Sequence, residues 1–382
     1  MLRPRLKSSL LTCPGDEGLL AYDPLSDRIH RLNPVASLIC ELCDGRRSVE
    51  ELTSIVAPLM AESQGCQVDA FITQGLEAGL LETAPTPAPA IDPASLAKQL
   101  RDQDKLEAAY ICQFHAAEQT PEDANLWATL GELSHILGRR EQARAAYERY
   151  LSLRPYDAEI RHLLIALRDE PPPPRADNDC IQQLYERFST FYESNMLEEL
   201  DYQAPRRLAA LVAELMGERT GLRALELGCG SGLAGVEIRD RCDHLAGIDL
   251  SPHMLELARG RGIYDALEQA EIGAWLQACE QRFDLVLACD ALIYFGDLGE
   301  VIAGAASCLE PDGLFVFSLE LGSEAPYRLN DNGRYSHHPD SLRALAGGAG
   351  LEVVRLEQGY LRMEYGEEVE GLFLALRLAS LE

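Results

Sequence analysis

The residues best suited to chemistry lie in the run Ala224-Leu225-Glu226-Leu227-Gly228-Cys229-Gly230-Ser231-Gly232. Glycines at alternate positions let a backbone turn sharply and approach a ligand closely. Where such a loop leads from a strand into a helix, N–H groups at the helix start can hold a carboxylate. A dinucleotide site usually reads G-x-G-x-x-G. Here the third glycine comes sooner and the acid Glu226 stands just ahead. An acid there repels a pyrophosphate and suits an ammonium group. Asp249 closes the next apolar run, Gly247-Ile248-Asp249-Leu250-Ser251, where a carboxylate can accept both hydroxyl hydrogens of a ribose. Met254, a turn further on, can pack on an adenine or fill a core. A ligand with an amino-acid end, no phosphate, a ribose and an adenine answers this pattern, and S-adenosylmethionine is that ligand. Its expected contacts here are Glu226, Gly228, Cys229, Gly230, Gly232, Asp249, Leu250 and Met254.

These residues need a sheet to hold them. Apolar runs at Arg223–Gly228, His244–Asp249, Leu267–Ile272, Asp284–Cys289, Gly313–Glu320, Leu351–Leu361 and Glu370–Leu378 predict strands, and helical stretches separate the first five. That alternation predicts a parallel sheet with helices on both faces. The last two runs predict a hairpin around Gly366-Glu367-Glu368.

With the glycine loop, this order resembles the class I S-adenosylmethionine-dependent methyltransferases, a Rossmann-like α/β fold of seven strands with an antiparallel final one. The resemblance covers residues 177–382. It implies that the acid ending the third strand meets the adenine amino group. Glu271 stands where the family often carries Asp. Cys289-Asp290-Ala291-Leu292-Ile293-Tyr294 resembles the fourth-strand motif, whose end faces the sulfonium and the acceptor, so Asp290 joins the cofactor contacts. A narrower resemblance is to bacterial methyltransferases preceded by tetratricopeptide repeats. It rests on Tyr185–Tyr192, Leu200–Pro205, Tyr327-Arg328-Leu329 and Gly333–His337. It implies an aromatic helix closing over the cofactor, with Tyr185, Phe188 and Tyr192 as lid residues on one helix face. Tyr294, Arg334 and His337 are the candidate catalytic residues. A histidine has a suitable pKa for a base toward a hydroxyl or amine acceptor. A carboxylate acceptor needs no base and would profit from Arg328 or Arg334.

The first 83 residues read differently. Short strand signals at Gly18–Tyr22 and Arg28–Leu32 flank a turn at Asp23–Asp27. Pro34 opens a helix, Ser48 and Glu51 make a capping box for a second, and a third runs Val68–Glu77 to Gly79. This is a small winged-helix-like α+β unit. The runs Gly18–Pro24, His30–Pro34, Leu42–Gly45 and Gly79–Glu82 resemble the PqqD family. PqqD-like domains are recognition elements of enzymes that modify ribosomally made peptides. The resemblance implies that a leader peptide adds a strand beside Arg28, Ile29, His30, Arg31 and Leu32 and packs on Val68, Phe71 and Ile72.

Between these parts, residues 84–99 and 171–176 read as proline-rich linkers around a helical segment, 100–170. Counting from Ala124, residues Trp127, Leu130, Gly131, Ala143, Tyr147 and Pro155 fall on the roughly 34-residue tetratricopeptide pattern. Too few repeats are present to stand alone, so the segment is expected to lean on a neighbour.

Composition narrows the partners. Lys and Arg total 34 against 62 Asp and Glu, a formal net charge of -28. Such a surface repels a phosphate backbone, so nucleic acid is not an expected partner, whereas a basic peptide or a small molecule is easier to accommodate. No apolar run reaches the roughly 18 residues of a membrane span, and Met1–Thr12 does not read as a signal peptide. The 11 cysteines are irregularly spaced, and Cys40 and Cys43 sit in a helical pattern with no second pair. Neither a disulfide scaffold nor a metal site is expected, and the reducing cytoplasm is the natural setting. The expectation is a cytoplasmic enzyme that captures the leader of a precursor peptide and methylates its core, with contacts to other peptide-modifying enzymes allowed. The alternatives are a small-molecule methyltransferase with a regulatory front domain, or a non-catalytic adaptor.

Overall fold

The computed structural model describes residues 2–59, 68–86, 90–188, 202–364 and 367–379. They divide into two units, Met1–Pro155 and Tyr156–Glu382.

In the first unit, β1 (Arg5–Leu6) pairs antiparallel with β5 (Leu81–Glu82). A three-stranded antiparallel sheet runs β2 (Leu11–Gly15), β3 (Gly18–Asp23), β4 (Arg28–Leu32), with β4 at an edge. Helices α1 (Pro34–Leu42), α2 (Val49–Val56) and α3 (Val68–Glu77) follow. Local chemistry sets their starts. The Asn33 side chain accepts the Ala36 N–H ahead of α1, and Ser48 and Glu51 close a reciprocal capping box on α2. Then come α4 (Pro93–Asp102), α5 (Leu106–Gln119), α6 (Ala124–Ile136) and α7 (Arg140–Leu153). Helix α4 occupies part of the stretch expected to be a spacer. Asp92 caps it and Pro93 opens it, so the prolines there mark a helix start as well as an extended run.

Strand alternation gives this small sheet two buried faces. Ala21 and Leu32 join Ile39, Cys40, Leu52, Val56, Val68 and Ile72 of α1–α3. Cys13, Leu20, Tyr22 and Ile29 join Ala97, Ala109, Tyr110, Cys112 and Leu130 of α4–α6. The two segments read as separate domains therefore share a core. Within the helical part, α6 and α7 approach so closely that a Cβ on Gly131 would stand 2.3 Å from the Tyr147 ring.

The second unit begins with α8 (Ala158–Leu167), α9 (Asn178–Phe188) and α10 (Ala204–Met216). Strands and helices then alternate: β6 (Leu222–Leu227), α11 (Leu233–Ile238), β7 (Cys242–Asp249), α12 (Pro252–Arg261), β8 (Ala266–Gln269), α13 (Ile272–Ala278), β9 (Phe283–Ala288), α14 (Gly299–Ser307) and β10 (Leu309–Leu321). After β11 (Tyr327–Leu329), β12 (Tyr335–His337) and α15 (Pro339–Gly348), β13 (Leu351–Glu364) and β14 (Glu367–Leu378) close the chain. The sheet runs β8-β7-β6-β9-β10 in parallel, with β14 antiparallel to β10 and β13 antiparallel to β14. The expected hairpin is there, although residues 365 and 366 of its turn lie outside the described residues. The sequence reading missed β11 and β12. Beyond the last β9 partner at Phe317, β12 pairs with Glu320 and Leu321 of β10.

Both sheet faces are buried, so neighbouring strand residues enter opposite cores. Ala224, Leu285, Leu314 and Val316 pack with Leu208, Leu211 and Val212 of α10. Leu225, Val286, Phe315 and Phe317 pack with Leu276, Ile302 and Leu342 on the other side. This is why the strands read as continuous apolar runs. The second proline-rich stretch is fixed to this unit. The Pro173 carbonyl accepts from the Tyr335 hydroxyl at 2.8 Å, and the Pro174 carbonyl accepts from the Gly296 and Asp297 N–H groups at 2.8 Å.

Candidate functional site

A cleft of about 1320 Å3, counted out to its mouth, opens at the C-terminal ends of the parallel strands. Its first wall is the loop after β6. Gly228 there has φ +63°, and a Cβ on it would stand 2.4 Å from the Ala291 methyl. Only glycine fits that turn. Cys229, Gly230 and Ser231 continue the wall, and Glu226, Asp249, Leu250, Ala270 and Glu271 complete it.

The carboxylates of this wall are held by identifiable donors. Asp249 Oδ2 accepts the Gly230 N–H and Oδ1 the Ser251 N–H, each at 2.8 Å. Burial raises the Asp249 carboxyl, and those N–H groups oppose the rise. Glu226 is 1% exposed and accepts the Tyr264 hydroxyl at 2.6 Å. Burial pushes it up to about 8, with Tyr264 opposing, Asp249 adding to the rise and Arg261 opposing. Glu271 does not end a strand, because β8 stops at Gln269. Glu271 caps α13 instead, accepting the Gly273 and Ala274 N–H groups at 2.9 and 2.8 Å. It lines the cleft from the start of a helix, which corrects its expected place at the end of a strand.

The opposite wall is polar in a way the sequence did not announce. Arg362, 2% exposed, pairs with Asp290 at 3.2 Å, with Glu364 at 3.1 Å and with Glu320. Arg334 pairs with Glu364 and lies 3.8 Å from Glu320. Burial alone would raise Glu364, but Arg334 and Arg362 hold it below the usual carboxylate range. Asp290 has φ +51° and receives the Ser318 hydroxyl at 2.7 Å. The Tyr294 hydroxyl donates to the Tyr185 hydroxyl at 3.4 Å, their rings set edge to face. Burial raises the Tyr294 phenol and Arg334 opposes. Tyr202 donates to or accepts from the Cys289 sulfur at 3.1 Å, and both line the cleft. Burial pushes the thiols of Cys229 and Cys289 far up.

The cleft thus gathers Glu226, Gly228, Cys229, Gly230, Asp249, Leu250, Glu271, Asp290, Tyr185, Tyr294 and Arg334 of the expected residues. Others lie elsewhere. Gly232 caps α11 behind the loop, and Met254 is buried in α12 without lining the cleft. His337 is 1% exposed in β12, its Nε2 3.0 Å from the Gly296 carbonyl, and burial depresses it to about 4. It is outside the cleft lining, so the structure does not provide the expected histidine base. Arg328 is exposed and pairs with Glu324. The Phe188 side chain and Tyr192 lie outside the described residues. Sequence reasoning missed Arg362, Tyr202 and Tyr264. A charge inside the strand Tyr360-Leu361-Arg362-Met363 was the available signal for the first.

In the first unit, among the described residues β4 pairs with β3 alone and stands at the sheet's edge. Arg28 is exposed and donates to the Ala78 carbonyl at 3.3 Å, while Arg31 pairs with Glu107. His30, Leu32 and Phe71 are half-buried. Ile29 turns toward the α4–α6 side. Val68 and Ile72 are each 1% exposed in the core, which corrects their expected role as peptide contacts. They are the inward positions of an amphipathic helix.

Residues 200–356 match the family described as a methyltransferase domain, and residues 18–81 match coenzyme PQQ synthesis protein D. A magnesium-protoporphyrin O-methyltransferase of Rhodobacter capsulatus is 26% identical over 40% of this chain and 74% of its own. A ubiquinone biosynthesis O-methyltransferase of Bordetella avium (strain 197N) is 29% identical over 40% of this chain and 70% of its own. One solved structure, an S-adenosylmethionine-dependent methyltransferase from Clostridium acetobutylicum ATCC 824, aligns over 52% of this chain and 100% of its own at 15% identity and a TM-score of 0.39. The second unit carries a methyltransferase domain of Rossmann-like fold with a mixed sheet, and a small PqqD domain stands near the N-terminus. Among the described residues no helix is long and apolar enough to cross a membrane.

Proposed function

We propose that this chain is an O-methyltransferase of a ribosomally made precursor peptide, with the leader held by the PqqD domain and a core residue methylated in the cleft. One observation carries the reading: a cleft with a glycine loop and two ligand-facing carboxylates occurs in the same chain as a PqqD domain with β4 at a sheet edge. An extended peptide can satisfy that edge through its own backbone. Joining the two parts in one chain raises the local concentration of the acceptor.

The residues fit the cofactor. Glu226 would meet the ammonium, and Asp249, braced by the Gly230 and Ser251 N–H groups, would meet the ribose. When bound, S-adenosylmethionine supplies a methyl group on a positively charged sulfur. The chain's task is to align an acceptor oxygen with it. Tyr294 and Arg334 are the groups placed to orient that oxygen. Among the described residues no histidine lines the cleft, and the Asp290, Glu320 and Glu364 carboxylates are paired with arginines; an acceptor oxygen with no proton to lose, such as a carboxylate, would need no base from this wall.

The names of the relatives favour a second reading, a small-molecule O-methyltransferase with a regulatory front domain. One experiment separates the two. The full chain is co-expressed with a short precursor peptide encoded beside it, and the peptide is weighed. A gain of one methyl that depends on the leader and vanishes in Gly228→Arg supports the peptide reading. A leaderless core methylated as fast, or no gain at all, sinks it.

A further inference from the structure

Tyr264 lies between α12 and β8, outside every motif read from the sequence. Its ring fills a space kept open by three positions that lack side chains. A Cβ on Gly232, Gly235 or Gly247 would come 2.9, 2.4 or 2.9 Å from its ring or oxygen. These positions belong to the end of the glycine loop, to α11 and to β7. The phenol reaches through that space and donates to Glu226 at 2.6 Å. A carboxylate buried as deeply as Glu226 and left without a donor would sooner take up a proton than keep a charge. It would also be free to change rotamer.

We propose that Tyr264 is a positioning residue for the cofactor: its hydroxyl holds the Glu226 carboxyl in one orientation in the cleft wall, ready for the ligand's ammonium group, and so makes the site select ligands that carry an amino-acid end. The inference rests on the reading that Glu226 faces the ligand's ammonium group. Tyr264 acts through Glu226 and does not itself line the cleft.

Calorimetry on the full chain tests it with two ligands. S-adenosylhomocysteine and methylthioadenosine share the adenosine and the thioether, but only the first has the amino-acid end. Tyr264→Phe keeps the ring that fills the glycine pocket and removes the hydroxyl. It should weaken S-adenosylhomocysteine about tenfold and leave methylthioadenosine unchanged. Gly235→Ala, whose Cβ would press on both the Tyr264 oxygen and the Glu226 carboxylate that it donates to, should give the same selective loss. Equal loss of both ligands, or no loss of the first in either variant, overturns the proposal. Glu226→Gln separates the two levels. If it weakens S-adenosylhomocysteine while Tyr264→Phe does not, the role of Tyr264 fails and that of Glu226 stands. If it too has no effect, the reading of Glu226 has failed.

Discussion

Glu226 should give cofactor binding a pH dependence of definite sign. Its folded value is raised to about 8 from an ordinary 4.5, chiefly by burial, with Tyr264, Asp249 and Arg261 as the facing groups. A group raised on folding adds stability that is fully present below its unfolded value and lost as pH rises through its folded value. The free chain should therefore lose stability between about pH 4.5 and pH 8 from this group. A bound ammonium favours the anion, so binding releases a proton and S-adenosylhomocysteine affinity should rise from pH 6.5 to 8. Calorimetry in two buffers of different ionisation enthalpy counts that proton, and a count of zero would refute the assignment. Arg362 makes a stability prediction. Removing it in Arg362→Ala leaves buried carboxylates without their partner and should cost about 3–5 kcal/mol by urea denaturation. The glycine loop and Asp249 were legible in the sequence because their chemistry is local. Arg362 and Tyr264 were not, because their partners Asp290 and Glu226 stand 72 and 38 residues away. Glu271 misled because an acid after a strand and an acid before a helix read alike.

At the scale of elements, strand runs and helix starts were mostly legible. Ser48 with Glu51, and Pro34, announce helices through their own backbone needs, whatever packs around them. Short strands such as β2, β11 and β12 were not, since their pairing comes from neighbours and not from their own pattern. The α6–α7 pair makes a sharp prediction. Gly131→Ala adds a methyl at 2.3 Å from the Tyr147 ring, so the gain in helix propensity is overridden by overpacking. The expected net loss is about 1–3 kcal/mol, read as a lower melting temperature. A rise would mean that the helices can separate at little cost.

For the whole molecule, the division of the chain bears on how it can be cut. The proline-rich run after residue 83 looks like a boundary, yet the strands before it and the helices after it share buried residues such as Leu20, Tyr22, Ala109 and Tyr110. Composition shows where a chain is extended but not which faces meet across it. A fragment starting at residue 84 should aggregate, because it bares that apolar face to water. A fragment of residues 156–382, the second unit alone, should stay soluble and bind S-adenosylhomocysteine as the full chain does. Light scattering and calorimetry on both fragments check this, and a well-behaved fragment from residue 84 would contradict the shared core.

The two sulfurs in the cleft have a practical consequence. Only a thiolate attacks an alkylating agent or a peroxide, and burial keeps Cys229 and Cys289 protonated at neutral pH. Although they border the place where ligand binds, both should resist iodoacetamide, as peptide mapping would show. Activity should then survive mild oxidants without added reductant. An adenosine analogue bearing an electrophile would find no reactive anchor beside it, and covalent inhibition of this cleft would have to look to some residue other than cysteine.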